Sequence, residues 1–103
     1  MTFNIQFQKM PESESLRDRI MLNLEKLANR YSFIINAQVL FKQENNSKGK
    51  GKICEIELSG PGPRLFAKSD TDDFEKAAAE TLKELERQLR KRKETFSKKK
   101  KIN

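Results

Sequence analysis

The chain reads as an α+β domain: a single four-stranded sheet with two helices packed on one of its faces, in the order β-α-β-β-β-α. Three observations predict this. Short runs at four places alternate apolar with polar residues, the period of a half-buried strand. Two longer runs repeat apolar residues at spacings of three and four, the period of an amphipathic helix. Each run has one apolar face, and six such faces close one core when both helices lie on the same side of one sheet.

The elements follow in order. Phe3, Ile5 and Phe7 alternate with Asn4, Gln6 and Gln8 in a first strand that Pro11 ends. Ser13 or Ser15 caps the next element, with Glu12, Glu14 and Asp18 near the positive end of its dipole. Leu16, Ile20, Leu24, Leu27 and Tyr31 then fall on one helical face, and the helix ends near Arg30. Ile35, Ala37, Val39 and Phe41 alternate with Asn36, Gln38, Leu40 and Lys42 in a second strand. Residues 44–52, ENNSKGKGK, form a polar hairpin loop, and Cys54, Ile56 and Leu58 mark the third strand. Gly60-Pro61-Gly62-Pro63 reverses the chain, because proline fixes φ and glycine tolerates its positive values. Residues 65–68 are a short fourth strand, and Ser69, Asp70, Thr71 and Asp72 supply a second helix cap. Phe74, Ala78, Leu82, Leu85 and Leu89 form the core stripe of the second helix, which is rich in strong helix formers. Phe96 keeps the phase. The domain is therefore expected to span 1–96, with 97–103 a disordered basic tail. There is no internal repeat.

Charge is distributed unevenly. Residues 87–101 hold nine basic side chains against one acid, a net +8, while the remaining 13 basic and 14 acidic residues leave the body at −1. Such asymmetry points to a polyanionic partner, a solubilising tail being the plain alternative. With 36% charged and 35% hydrophobic residues, the apolar content still supports a fold, so disorder of the whole chain is not expected. One cysteine, Cys54, allows no internal disulfide, and its place in an alternating run predicts burial and low reactivity. The absence of histidine removes the commonest general base and metal ligand. The pairs Glu55 with Glu57 and Asp72 with Asp73 read as solvated strand face and helix cap, and Gly49-Lys50-Gly51-Lys52 lacks the spacing of a phosphate loop. An enzyme is not expected, nor any cofactor or small-molecule substrate. No apolar run approaches membrane-spanning length and the N-terminus lacks a signal-peptide layout, which predicts a cytoplasmic protein with no membrane partner.

The basic residues are better organised than the acids. On the second helix Lys83, Arg87, Arg90, Lys91 and Lys98 fall within about a quarter-turn of one line at 100° per residue. That line is opposite the leucine stripe. The first helix adds Arg19, Lys26 and Arg30 along one flank, with Asn23 interrupting. Two parallel rails of cations suit the phosphates of an A-form RNA surface. Arg90-Lys91-Arg92-Lys93 places four cations in a row, a crowding that an external anion would relieve. Exposed aromatics for base stacking are not expected, since most Phe lie in core phase and Trp is absent.

This ordered set resembles the ribosome hibernation-promoting factors and the related ribosome-associated inhibitor, protein Y, over roughly residues 3–94. The residues that carry the resemblance are Leu16-Arg17, Lys26-Leu27, the run Leu65-Phe66-Ala67-Lys68, the acidic cap before Phe74-Glu75, and the ending Leu85-Glu86-Arg87-Gln88-Leu89-Arg90-Lys91-Arg92-Lys93. It implies a fold similar to a double-stranded RNA-binding domain. It also implies a hibernation factor that sits in the mRNA and tRNA channel of the small ribosomal subunit and blocks translation under stress or in stationary phase. Its partners would be 16S-type rRNA and neighbouring ribosomal proteins, and it would be a monomer away from the ribosome. For RNA contact the resemblance implies Lys26, Lys42, Arg87, Arg90, Lys91 and Lys93. Arg30 joins them from the flank of the first helix, and Arg92 on charge alone. Asn23 stands where many relatives carry a basic residue, and the C-terminal dimerisation domain of the long-form factors is not expected here. A generic structured-RNA binder and a transcription-factor-modulating module are the other readings. Against the former, Asp70-Thr71-Asp72-Asp73 repels phosphate where that class is usually lysine-rich.

Overall fold

The structure is a computed structural model that describes residues 1–45 and 48–102, with backbone alone for 97–102. Asn46 and Ser47 of the expected loop, Asn103, and the side chains of the expected tail lie outside the described residues. The order is β1 (Thr2–Gln8), α1 (Glu14–Arg30), β2 (Asn36–Gln43), β3 (Lys52–Ser59), β4 (Leu65–Thr71) and α2 (Phe74–Ile102).

The four strands form one mixed sheet in the order β1-β2-β3-β4. β1 lies parallel to β2, with Ile5 beside Val39 and Phe7 beside Phe41. Parallel neighbours need a crossover, and α1 supplies it. The β2–β3 and β3–β4 pairs are antiparallel, so Val39, Ile56 and Ala67 line up across the sheet on one face. That face meets Ile20, Leu24 and Leu27 of α1 and Ala77, Leu85 and Leu89 of α2 in a single core. Phe41 is its widest side chain, stacked on Phe7 at 5.5 Å and edge-on to Phe74 at 6.0 Å. The other face of the sheet is open and mostly polar, with Leu40 and the half-exposed Phe66 among its polar side chains. Asn4 donates to Gln38 at 2.9 Å, and Glu55 lies between Lys42 at 3.6 Å and Lys68 at 3.8 Å.

Ser13 caps α1, its hydroxyl accepting from the Leu16 amide at 3.3 Å. The second cap differs from the expected one. β4 runs on to Thr71, because Asp70 and Thr71 pair with Ile53 and Lys52, and Asp70 accepts from the Gly51 amide at 2.7 Å. Asp73 therefore caps α2 instead, accepting from the Lys76 amide at 2.9 Å. The buried line of α2 is also rotated from the expected stripe. Ala77, Thr81, Leu85 and Leu89 are fully covered, whereas Phe74, Ala78 and Leu82 are half-buried. Ile35 stands just before β2 and is exposed rather than in the core. The α2 backbone continues past Phe96 to Ile102, through the segment read as a tail. In the Gly60–Pro63 turn, Gly62 takes φ +90°, as a tight reversal needs. Gly60 is required for another reason: a Cβ there would stand 2.6 Å from the Phe33 carbonyl oxygen.

Candidate nucleic-acid interface

The flank of α1 that carries Arg19, Asn23, Lys26 and Arg30 turns toward α2. Between the two helices runs a groove of about 290 Å³, lined by Asn23, Lys26 and Arg30 on one side and Leu82, Lys83 and Glu86 on the other. Arg19 reaches Glu75 at 2.8 Å, and Arg30 pairs with Glu86. These two bridges cross from helix to helix, and the second borders the groove. Lys26 and Lys83 line it between them.

Beyond the groove the outer surface of α2 carries Arg87, Arg90 and Lys91. Arg87 grips Glu84 with two bonds, Nε to Oε1 at 2.9 Å and Nη2 to Oε2 at 2.6 Å. The same carboxylate accepts from Gln88 Nε2 at 3.0 Å, and Gln88 also donates to the Phe66 carbonyl of β4 at 3.1 Å. The Arg87 bonds first, and the Gln88 bond second, hold the Glu84 carboxyl down at about 2. The pairing raises Arg87 above its ordinary value in return. Among the described residues, Lys26, Lys83, Arg90 and Lys91 make no ion pair with an acid. Their charge is left open on this face, as is that of Lys93, which meets the Tyr31 ring and no acid.

The eight residues singled out from the sequence divide into three groups. Lys26, Arg30, Arg87, Arg90, Lys91 and Lys93 are on the helical side of the molecule. Lys93 there lies at the end of α1, with its ammonium 5.7 Å from the centre of the Tyr31 ring. Arg92 is turned inward, and its guanidinium donates to the carbonyls of Pro61 at 2.8 Å and Pro63 at 2.9 Å. It pins α2 to the β3–β4 turn, a bond that charge counting does not reveal. Lys42 is on the opposite, open face of the sheet, between Glu55 and Glu44. Its alternation with Phe41 already put it there. Lys83 was on the basic line of the helical wheel yet outside the singled-out set, and its position across the groove from Lys26 brings it in.

Lysine ammoniums and one unpaired arginine fork are suited to holding phosphates in register, not to reading bases. In class, then, this is a small α+β domain with cations gathered on its two-helix face. A family model described as sigma 54 modulation protein / S30EA ribosomal protein matches residues 3–97, and the chain belongs to that family. A ribosome hibernation promoting factor of Pseudomonas putida is 32% identical over 94 residues, covering 91% of this chain and 88% of that protein. Among solved structures, a ribosomal subunit interface protein from Coxiella burnetii superposes with a TM-score of 0.78 at 27% identity, over 90% of this chain and 98% of that one. The protein Y N-terminal domain of Thermus thermophilus shares the fold, with a TM-score of 0.74 at 20% identity over 88% of this chain and 98% of that domain.

Proposed function

We propose that this protein is a ribosome hibernation factor. It binds the small ribosomal subunit through the α1–α2 face, lies in the channel that mRNA and tRNA use, and keeps idle ribosomes from translating during starvation or stationary phase. The observation that carries this reading is the set of unpaired cations, Lys26, Lys83, Arg90 and Lys91, gathered on one side of the molecule. The names of the similar proteins, a hibernation promoting factor and a subunit interface protein, support the ribosome as the polyanion. The mechanism is steric. Phosphates of rRNA dock on the ammonium groups, the rigid sheet fills the space behind them, and the body of the domain excludes other ligands. No bond is made or broken.

The site works in the cytoplasm, where ribosomes are, and no described helix is long and apolar enough to cross a membrane. Co-sedimentation with separated ribosomal subunits across a salt series, with a reporter mRNA translated in parallel, tests the reading. The expected result is binding to the small subunit and arrested translation. Binding should weaken by roughly 0.7–0.9 log units per log unit of salt for each phosphate neutralised. Protein that stays in the supernatant at low salt, or binds without slowing translation, contradicts it.

A further inference from the structure

We propose that Glu84 limits the grip of the basic face: it occupies the Arg87 fork as an internal stand-in for phosphate and keeps that pair out of the count of RNA contacts. The inference rests on the RNA-binding reading above and names a residue that sets its strength.

Besides Arg17, which pairs with Glu12 at the start of α1, three arginines on the helical side are neutralised by glutamates, and two of those three pairs have an architectural purpose. Arg19 with Glu75 and Arg30 with Glu86 join α1 to α2. Arg87 with Glu84 joins nothing, because both residues belong to α2, three positions apart. An exposed pair at that spacing contributes little to a helix. Its geometry is nevertheless the most fully made of the three. Two oxygens meet two N–H groups of the guanidinium at 2.9 and 2.6 Å, the same fork that arginine offers a phosphate. Gln88, itself bonded to the Phe66 carbonyl, holds one of those oxygens from the other side. A carboxylate that accepts three hydrogen bonds, two of them at Oε2, does not swing aside freely when RNA approaches.

An arginine paired in this way brings no net charge to the surface, so it releases no counterion when RNA binds. The contact is then carried by Lys26, Lys83, Arg90 and Lys91. Removing the carboxylate charge alone should turn Arg87 into one more phosphate contact. A factor that has to leave the ribosome when growth resumes has a use for such a brake.

The test compares wild type, Glu84→Gln and the neighbouring Glu80→Gln for binding to purified small ribosomal subunits over a salt series. Thermal unfolding confirms the fold of each. For Glu84→Gln the expected result is tighter binding and a salt slope steeper by about 0.7–0.9, which is about a threefold larger loss of affinity between about 50 and 200 mM salt. Adding Arg87→Gln to Glu84→Gln should remove the gain, and Glu80→Gln should leave the slope unchanged. Wild-type binding with no change of slope in Glu84→Gln, or the same change in Glu80→Gln, overturns this inference and leaves the RNA-binding reading in place. Wild-type protein that fails to bind the subunits overturns both.

Discussion

Cys54 shows how burial alone sets the chemistry of a side chain. It stands on the core face of β3 with no exposed surface, and burial pushes its thiol up to about 12, against a partial offset from Thr81 and with a further push from the Glu55 charge. The folded chain therefore keeps a proton that the unfolded chain releases near its ordinary pKa of about 8.5. The associated stability is fully present below about 8.5 and declines as pH rises from there toward 12. At pH 8 the thiol should resist Ellman's reagent in native protein and react completely once urea unfolds it. Rapid reaction of the native protein would show that the β3 face is not sealed. Burial of Cys54 was legible in the sequence, because an alternating run needs no knowledge of what covers it. Arg92 was not legible in the same way. Its partners are the Pro61 and Pro63 carbonyls, about thirty positions away, and a run of four cations looks uniform until the fold brings the turn to one of them.

At the scale of elements, the strand alternation placed β1 to β4 correctly to within a few residues, while the helix faces needed the partner to be known. The expected stripe of α2 weighted leucine and alanine by hydrophobicity. The helix instead sets Thr81 at its centre, where the hydroxyl donates to the Ala77 carbonyl at 2.8 Å and lies 3.2 Å from the Cys54 carbonyl of β3. A buried hydroxyl is tolerated when its bond is made, and here the Ala77 carbonyl one turn back makes it while the Cys54 carbonyl of β3 packs over it. Thr81→Val keeps the shape and deletes the hydroxyl. It should lower stability in urea by about 0.5–1.5 kcal/mol without altering the secondary structure. A change much larger than that would mean the hydroxyl organises the helix–sheet contact, and no change would mean its bonds are balanced by the cost of burying it. The end of β4 was misjudged for a related reason. Asp70 and Thr71 look like cap residues in isolation, but pairing with β3 claims them first, and Asp73 is left to cap α2.

For the whole molecule, the uneven charge was legible from the start, and its division between faces was not. Counting puts +8 in residues 87–101, yet the fold separates cations that sequence groups together and gathers others that sequence separates. Lys26 and Lys83 are far apart in the chain and share one groove, whereas Arg92 leaves its neighbours for the turn. Lys42 goes to the open face, where Glu55 and Glu44 neutralise it. The proposed function therefore requires that the α1–α2 face, not the open sheet face, meets the ribosome. Binding of two double variants to small ribosomal subunits near physiological salt tests it most directly, with circular dichroism confirming each fold. Lys83→Glu with Arg90→Glu reverses the helical face at exposed positions and should weaken binding by about a hundredfold or more, as expected when several phosphate contacts are lost or repelled. Lys42→Gln with Lys68→Gln neutralises the open face and should leave affinity within about threefold, the scale of one lost long-range charge. The reverse pattern, with the open-face variant failing and the helical-face variant binding normally, would contradict the account.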